Sequence, residues 1–245
     1  NALIEGAAWS SYSWQLQINV PCRLLSDVDM RVVSNRILAL TSTFEGTNDL
    51  HLDAAQGMVA SRVGGTPGYS GTIYTERSVG GILFQNQSYM YTNATIVVKG
   101  GTTLQVGNAA RLGALVLRPG SRLDAYYASP SSNDNAVTIL GTVTNATCYN
   151  SLMEFRGDVR GTGTVVKINN NPNGTNRFTG SISPGVDSIG VLAFDEQVGV
   201  TELGLAGDRL RLNIDLAGSG GVPGVNCDQI ILSNLAGLSI YGGYE

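Results

Sequence analysis

The chain has 245 residues, of which 14% are charged and 32 are glycine, and its formal net charge is -4. An average soluble domain is about 25% charged and about 7% glycine. Too few charged residues are present to solvate the long polar faces of a helix bundle, and 15 basic residues in an acidic chain offer no phosphate-binding surface for nucleic acid. Hydrophobic residues make up 42% of the chain and β-branched runs recur, which argues against disorder. The composition therefore favours a glycine-rich β protein.

The first predicted element is a strand that ends at Pro21. Trp14, Leu16, Ile18 and Val20 alternate with polar residues, which is the pattern of a strand with one buried face. Proline cannot donate a backbone hydrogen bond to a neighbouring strand, so we expect the strand to stop there.

The only histidine of the chain lies between two aspartates, in the order Asp49, His51 and Asp53. In a strand, this spacing places the three side chains on one face, where Ca²⁺ or Zn²⁺ could bind. Calcium takes about six to eight oxygen ligands and the segment supplies no fourth ligand, so a solvated strand is the preferred interpretation and no metal or other cofactor is predicted. Residues 49–63 are also the most helix-like part of the chain, although Gly57 interrupts them.

A loose repeat of the form Gly-[Ser/Thr]-x-Leu-x-Val runs from about residue 94. Its copies begin at Gly101, Gly120, Gly163 and Gly207, which are 19, 43 and 44 residues apart. These intervals are close to one or two multiples of a period of about 20 to 22 residues, and such periods mark solenoids. The positions expected to stack in the core of the coil are Leu104, Leu123, Val166 and Leu210. A β-sandwich of hairpins is the alternative, but the Asn-Gly pair that marks a hairpin occurs once.

A solenoid also accounts for the excess of glycine and the deficit of charge. Glycine suits the corners where a coil turns with positive φ. Equivalent positions on successive coils lie about 4.8 Å apart, so a charge repeated at one position would face a like charge. We therefore expect outward faces that are polar but carry few ions.

Residues 177–192 are the most informative segment of the chain. They resemble the signature of the passenger-associated and autotransporter-associated β-strand repeats, and a D-Q element of the same families follows. The matching positions are Gly180, Pro184, Gly185, Ser188, Ile189, Gly190 and Leu192 in the signature, and Asp228 and Gln229 in the D-Q element. The resemblance covers about residues 157–235 and extends more loosely back to residue 94.

This resemblance implies a right-handed parallel β-helix on the outside of bacterial cells, which serves as an adhesin, passenger or surface-fibre scaffold. The residues give the signature a structural role of their own. Pro184 and Gly185 are a turn pair, because proline restricts φ and glycine accepts a positive φ. The apolar residues from Ile189 onwards then re-enter a strand.

The three cysteines, Cys22, Cys148 and Cys227, are 126 and 79 residues apart and form no C-x-x-C motif. This spacing excludes a compact zinc site. One disulfide with a third free thiol and three buried thiols both remain open.

Catalytic motifs are scarce. The chain contains no Gly-x-Ser-x-Gly elbow and no phosphate-binding loop, and a catalytic triad would have to use His51. A polysaccharide-cleaving β-helix would need converging carboxylates, or arginines stacked across coils beside an acidic cluster. The candidate carboxylates are Asp124, Asp134, Glu154 and Asp158, and the candidate arginines are Arg118, Arg122, Arg156 and Arg160. Solvated strand positions are the preferred interpretation of both sets.

Aromatic residues could form platforms for sugars or proteins, although burial is their commonest use. The candidates are Trp9, Tyr12, Trp14, Tyr89, Tyr91, Tyr126 and Tyr127. Core or end-cap packing is preferred for Trp14, which is in phase with Leu16 and Ile18.

The sequence thus predicts an all-β protein with an N-terminal β-rich region over residues 1–93, which caps the solenoid or contacts another subunit, and a right-handed parallel β-helix over residues 94–245. The predicted function is structural, extracellular or at the cell surface, and without catalysis. The expected partners are further copies in an oligomer or filament, or a surface glycan or protein, and no membrane-spanning segment is expected. A polysaccharide-binding or polysaccharide-cleaving β-helix and a viral or phage fibre segment are the alternatives.

Overall fold

The computed structural model of the protein describes most of the chain. The described residues are 2–6, 15–62, 68–85, 89–107, 111–126, 131–147, 152–167, 174–196, 200–204, 210–215, 222, 224–233 and 238–240. All the regular structure in these residues is β-strand.

The strands are short and follow one another closely. The first nine are β1 (Ala2–Gly6), β2 (Gln15–Ile18), β3 (Cys22–Arg23), β4 (Val28–Val32), β5 (Ile37–Leu40), β6 (Phe44–Glu45), β7 (Leu50–Ala54), β8 (Met58–Ser61) and β9 (Thr72–Ser78). The next nine are β10 (Ile82–Gln85), β11 (Tyr89–Val98), β12 (Thr103–Gly107), β13 (Arg111–Leu117), β14 (Arg122–Tyr126), β15 (Ser131–Asn133), β16 (Val137–Ile139), β17 (Thr142–Thr147) and β18 (Leu152–Phe155). The last nine are β19 (Asp158–Gly161), β20 (Thr164–Lys167), β21 (Thr175–Phe178), β22 (Ser181–Pro184), β23 (Val191–Glu196), β24 (Val200–Leu203), β25 (Arg211–Leu212), β26 (Gln229–Ser233) and β27 (Leu238–Ile240).

The strands stack into a parallel β-solenoid. One sheet has 15 strands and contains β1, β4, β7, β9, β11 and β13, and from β15 onwards it receives two strands from most coils. A second sheet has ten strands, in the order β2, β5, β8, β10, β12, β14, β17, β20, β23 and β26, and β3 pairs with β6 in a small third sheet. Each strand lies beside its equivalent in the next coil, which confirms the predicted all-β solenoid. Its right-handed sense stays a prediction.

Parallel pairing begins at β1, not at residue 94. β1 pairs with β4 and β2 pairs with β5, and both large sheets continue through residue 94. The boundary expected between residues 1–93 and 94–245 therefore marks no change of architecture in the described residues. The repeat is not visible earlier because the turn from β4 to β5 uses Ser34, Asn35 and Arg36 without glycine, and the glycines before β8 and β10, Gly57 and Gly81, are followed directly by an apolar residue.

The helix-like stretch at residues 49–63 is not helical where it is described, because β7 and β8 occupy it. Its glycine is needed where two coils approach closely. A Cβ at Gly57 would lie 2.2 Å from the carbonyl oxygen of Arg36 and 2.3 Å from that of Ser34. Pairing with the neighbouring strands overrides a weak local helix propensity.

The predicted core column is half correct. Leu104 lies directly opposite Leu123 and both are buried. Val166 instead lies opposite Thr144 and Asp195, while its neighbour Val165 is the buried residue. The prediction for Leu210 is also wrong, because this residue lies outside the strands and only packs against the edge of the core. Coils of unequal length shift the register, so copies of a loose repeat do not all occupy equivalent positions.

A continuous apolar column holds the fifteen-stranded sheet together. Its members face inward on successive coils and are all buried: Val28, Leu50, Ile73, Ile96, Leu115, Val137, Val159 and Ile182. Burial of one such side chain contributes about 1.5–3 kcal/mol. Hence the inward positions stabilise the coil, and the outward positions of the same strands are free for other uses.

Candidate functional site

Outward side chains of the first coils form a row of alternating charge on the fifteen-stranded sheet. Glu5, Arg31, Asp53 and Arg77 occupy equivalent outward positions on β1, β4, β7 and β9. Parallel stacking brings each of these residues beside the next, so alternation of sign replaces repulsion with attraction. We call Arg31, Asp53 and Arg77 the charge ladder.

The charge ladder is joined by direct ion pairs. Nε of Arg31 donates to Oδ2 of Asp53 at 2.9 Å. Arg77 holds the same carboxylate with two bonds, from Nε to Oδ1 at 2.7 Å and from Nη2 to Oδ2 at 2.5 Å. The Asp53 side chain is 11% exposed, against 42% and 49% for the two arginines. The Asp53 carboxylate is therefore largely covered by the guanidinium groups of Arg31 and Arg77, which remain partly exposed to solvent.

A β-bulge makes this pairing possible. Leu52 lies opposite Thr75, but Asp53 lies opposite Arg77, so Glu76 is passed over. Without the bulge, Asp53 would face Glu76, and two carboxylates would stack in adjacent strands. The extra residue therefore replaces a like-charge contact with an ion pair.

The ionisation of Asp53 follows from these neighbours. Burial alone would raise the pKa of its carboxyl group, but the hydrogen bonds and charges of Arg77 and Arg31 outweigh burial and lower the pKa below its ordinary value of 3.8. Asp53 is therefore a carboxylate throughout the neutral and mildly acidic range.

Glu76, the residue that the bulge displaces, joins a second cluster. Nδ1 of His51 lies 2.6 Å from Oε1 of Glu76, and Nζ of Lys99 donates to both oxygens at 2.5 and 2.6 Å. The His51 ring stacks on Tyr74 with centroids 5.0 Å apart, and Lys99 lies 5.1 Å from the centre of the Tyr74 ring. Burial raises the pKa of Glu76, but His51 and Lys99 lower it by more, so its pKa lies below 4.5.

The two clusters line a groove of about 520 Å³. The residues that line it are Leu3, Asp29, Arg31, His51, Asp53, Glu76 and Arg77. The groove crosses four neighbouring strands of the fifteen-stranded sheet, and its polar groups come from coils that are far apart in sequence.

The three weak metal candidates of the sequence do not meet at one point. His51 and Asp53 share the outward face of β7, but Asp53 is held by two arginines. Asp49 precedes the strand, where its Oδ1 accepts a hydrogen bond from the backbone nitrogen of Thr72 at 3.2 Å. Within the described ranges, no group of three or more His, Cys, Asp or Glu residues could hold a metal ion.

The signature segment forms a tight corner with buried Pro184, Gly185 and Gly190 and with Ser188 exposed at its tip. Gly185 has a φ of 96°, and a Cβ there would lie 1.8 Å from the carbonyl oxygen of Ser188, so the turn requires glycine. Pro184 ends β22 and is buried. Gly180 lies close against the preceding coil, where a Cβ would come within 2.1 Å of the Gly157 carbonyl oxygen. Ile189 leads out of the turn and the buried Leu192 belongs to β23.

The D-Q element is hydrogen-bonded to this corner. Oδ1 of Asp228 accepts a hydrogen bond of 2.8 Å from the backbone nitrogen of Gly190, and Oδ2 accepts one of 2.8 Å from the backbone nitrogen of Asp215. The backbone nitrogen of Gln229 donates to the carbonyl oxygen of Gly190 at 3.0 Å. Asp228 is 8% exposed. One buried carboxylate therefore ties three segments of the last coils together.

Of the four carboxylates considered for polysaccharide cleavage, Glu154 and Asp134 share one arginine, and Asp124 and Asp158 have other partners. Asp124 pairs with Arg122 at 2.7 Å in the ten-stranded sheet. Glu154 and Asp134 both pair with Arg156, at 2.6 and 3.6 Å. Asp158 accepts bonds from two serine hydroxyls, Ser181 and Ser183, at 2.7 Å each.

The candidate arginines do not share one face either. Arg122 belongs to the ten-stranded sheet and Arg160 to the fifteen-stranded sheet. Arg118 and Arg156 lie outside the strands. These four residues therefore form no stacked row.

Cysteines and aromatic residues contribute little to an outward site in the described part of the chain. Cys22 and Cys227 are free thiols in the first and last coils, and Cys148 lies outside the described residues.

Among the aromatic candidates, Tyr91 is fully buried and its hydroxyl oxygen lies 3.0 Å from that of Ser61. Burial raises the pKa of Tyr91 to about 12. The side chains of the remaining aromatic candidates lie outside the described part: Trp9, Tyr12, Trp14, Tyr89, Tyr126 and Tyr127.

Sequence reasoning missed the charge ladder. A signal was present, because Arg31, Asp53 and Arg77 are 22 and 24 residues apart, close to the period of the coil. A second ladder of alternating charge, Glu154–Arg177–Glu202, follows the same rule in the later coils. Charges of opposite sign at the coil period would have revealed both ladders.

Comparisons of the chain with known proteins found no relative. No family model, no curated protein and no solved structure matches the chain. In the described residues, no helix is long and apolar enough to cross a membrane.

Proposed function

We propose that this chain is a non-catalytic structural protein of the cell exterior, an autotransporter-like passenger, adhesin or fibre scaffold. The observation that carries the proposal is the use of outward charge. Asp53, Glu76 and Glu202 each bind a basic residue of a neighbouring coil. Such pairs tie coil to coil and leave few ionised groups for chemistry, as suits a rod whose task is to hold its shape.

Self-association through the ends of the solenoid is part of this proposal. β2 and β26 lie at the two edges of the ten-stranded sheet, and Leu16 and Ile231 on them are 48% and 38% exposed. Unpaired strand edges accept further strands. Sedimentation velocity over a hundredfold range of protein concentration should show growing assemblies, and a single monomer boundary throughout would contradict this part.

Location and lack of catalysis need a separate experiment. Antibody against the chain should label intact cells of the producing organism, and protease added outside should remove the signal. Labelling that requires permeabilised cells would contradict an exterior role.

The purified chain should release no reducing ends or unsaturated products from neutral glycans or polygalacturonate, with or without Ca²⁺. Turnover that one Asp or Arg substitution abolishes would overturn the structural assignment.

A further inference from the structure

The groove of the first coils contains a carboxylate, Asp29, that has no ion-pair or side-chain hydrogen-bond partner among the described residues. Asp29 lies on β4 beside Leu3 of β1 and His51 of β7. It is partly exposed, it lines the groove, and within the described ranges it makes no ion pair or side-chain hydrogen bond. This sets it apart from Asp53 and Glu76, whose charges are matched by basic neighbours.

Two further polar groups of the groove have unused capacity. Because Glu76 is ionised, Nδ1 of His51 is the donor in their 2.6 Å bond, and Nε2 of the ring makes no hydrogen bond to the described residues. Arg31 uses Nε for Asp53, and its two terminal nitrogens have no acceptor among the described residues. Paired donors on Arg31 and paired acceptors on Asp29 thus stand on the same strand, two residues apart.

The charge of the groove favours an uncharged ligand. The carboxylates of Asp29, Asp53 and Glu76 are balanced by Arg31, Arg77 and by Lys99, which binds Glu76. Glu5 adds a further negative charge next to Arg31 in the same row. An anion would therefore gain no net attraction, whereas hydroxyl groups can donate to Asp29 and accept from Arg31 at once.

We propose that this groove binds a neutral oligosaccharide, with Asp29 and Arg31 holding neighbouring hydroxyl groups and Leu3 contacting an apolar face of a sugar ring. The volume of about 520 Å³ lies within the range of about 300–1,000 Å³ that is usual for small-molecule sites. Leu3 is 59% exposed, which leaves it available for such a contact. The inference is independent of the structural role proposed above.

The test is titration of the full chain at pH 7 with four hexasaccharides, followed by calorimetry and by saturation-transfer NMR. Three probes are neutral (mannohexaose, cellohexaose and xylohexaose) and one is anionic (hexagalacturonate). At least one neutral probe should bind and hexagalacturonate should not. Asp29→Ala should weaken binding by about tenfold or more, because a hydrogen bond to a charged group is lost.

The variant is suited to this test because Asp29 makes no side-chain bond to the described residues, so the circular dichroism spectrum and melting temperature should not change. Glu45→Ala, which removes an exposed carboxylate on β6 outside the groove, is the matched control and should bind like the parent chain. Binding of hexagalacturonate alone, binding that Asp29→Ala leaves intact, or binding of none of the four probes would each overturn the proposal.

Discussion

Asp228 accepts a 2.8 Å hydrogen bond from the backbone nitrogen of Gly190, 38 residues earlier in the chain. Its second carboxylate oxygen binds the backbone nitrogen of Asp215. The contact joins the signature turn to the D-Q element, two segments that the sequence presents only as separate motifs. It suggests a direct test of how the last coils are held.

Replacement of Asp228 by alanine should destabilise the protein by about 2–3 kcal/mol. Two backbone donors would lose a charged acceptor in a site that is nearly closed to water. Urea unfolding followed by circular dichroism measures the change. Asp187→Asn is the control, because Asp187 is exposed and asparagine tolerates its φ of 58°, so its effect should stay within about 0.5 kcal/mol. Equal effects of the two substitutions would contradict the role given to Asp228.

Replacement of Asp53 by alanine should cost about 1–2 kcal/mol. The substitution leaves Arg31 and Arg77 as like charges without the carboxylate between them, but both are partly solvated, which keeps the loss moderate. A double-mutant cycle of Asp53→Ala with Arg77→Ala should give a coupling free energy of about 0.5–1 kcal/mol in urea unfolding. Arg118→Ala, which removes an exposed arginine outside the ladder, should change stability by less than about 0.5 kcal/mol. Additivity of the cycle would contradict a stabilising ion pair between Asp53 and Arg77.

Acid should destabilise the first coils through Asp53 and Glu76. The pKa of each is lower in the folded protein than its ordinary value of 3.8 or 4.5, so the unfolded chain binds more protons in this range. Their contribution to stability is complete above the ordinary values and is lost as the pH falls through the lowered ones. Urea midpoints measured from pH 7 to pH 2.5 should fall less in Asp53→Asn/Glu76→Gln than in the parent chain. Parallel curves would contradict the assignment.

Replacement of Phe178 by alanine should cost about 3–5 kcal/mol. Phe178 is 2% exposed and lies between Phe155, with ring centroids 4.9 Å apart, and Phe194, at 5.1 Å. Truncation leaves a cavity between coils that have little freedom to collapse. Phe178→Leu should cost less, about 1–1.5 kcal/mol, because most of the volume is kept. Thermal and urea unfolding would test this order, and an alanine variant as stable as the leucine variant would contradict it.

Much of the architecture is legible in the sequence. The period of about 20 to 22 residues and the apolar alternation predict a solenoid, because successive coils must place their short strands and corners at equivalent positions. The need for glycine at the Gly185 corner is also local, since φ there is positive. Leu104 and Leu123 belong to adjacent copies of equal form, and they do stack.

Register across coils is where sequence reasoning fails. Val166 and Leu210 occupy the same place in the repeat as Leu104, yet neither joins the stack, because later coils differ in length. The solenoid also includes the described strands before residue 94, where a turn either lacks glycine, as at residues 34–36, or has an apolar residue directly after its glycine, as at Gly57 and Gly81, so that the Gly-[Ser/Thr]-x-Leu form does not appear. Local pattern predicts that strands exist, but pairing between distant coils decides which residues meet.

By itself, the sequence of this protein determined the strand composition, the coil and the glycine corners, because these depend on period, propensity and φ within one coil. Only the tertiary structure decided that Glu76 is passed over and that Arg77 faces Asp53, since a bulge of one residue changes every outward contact beyond it. The same holds for the hydrogen bonds of Asp228. Its partners are backbone nitrogens, which every residue except proline has, so the sequence does not identify them. Chemistry on the surface of this solenoid depends on register, and register is a property of the folded chain.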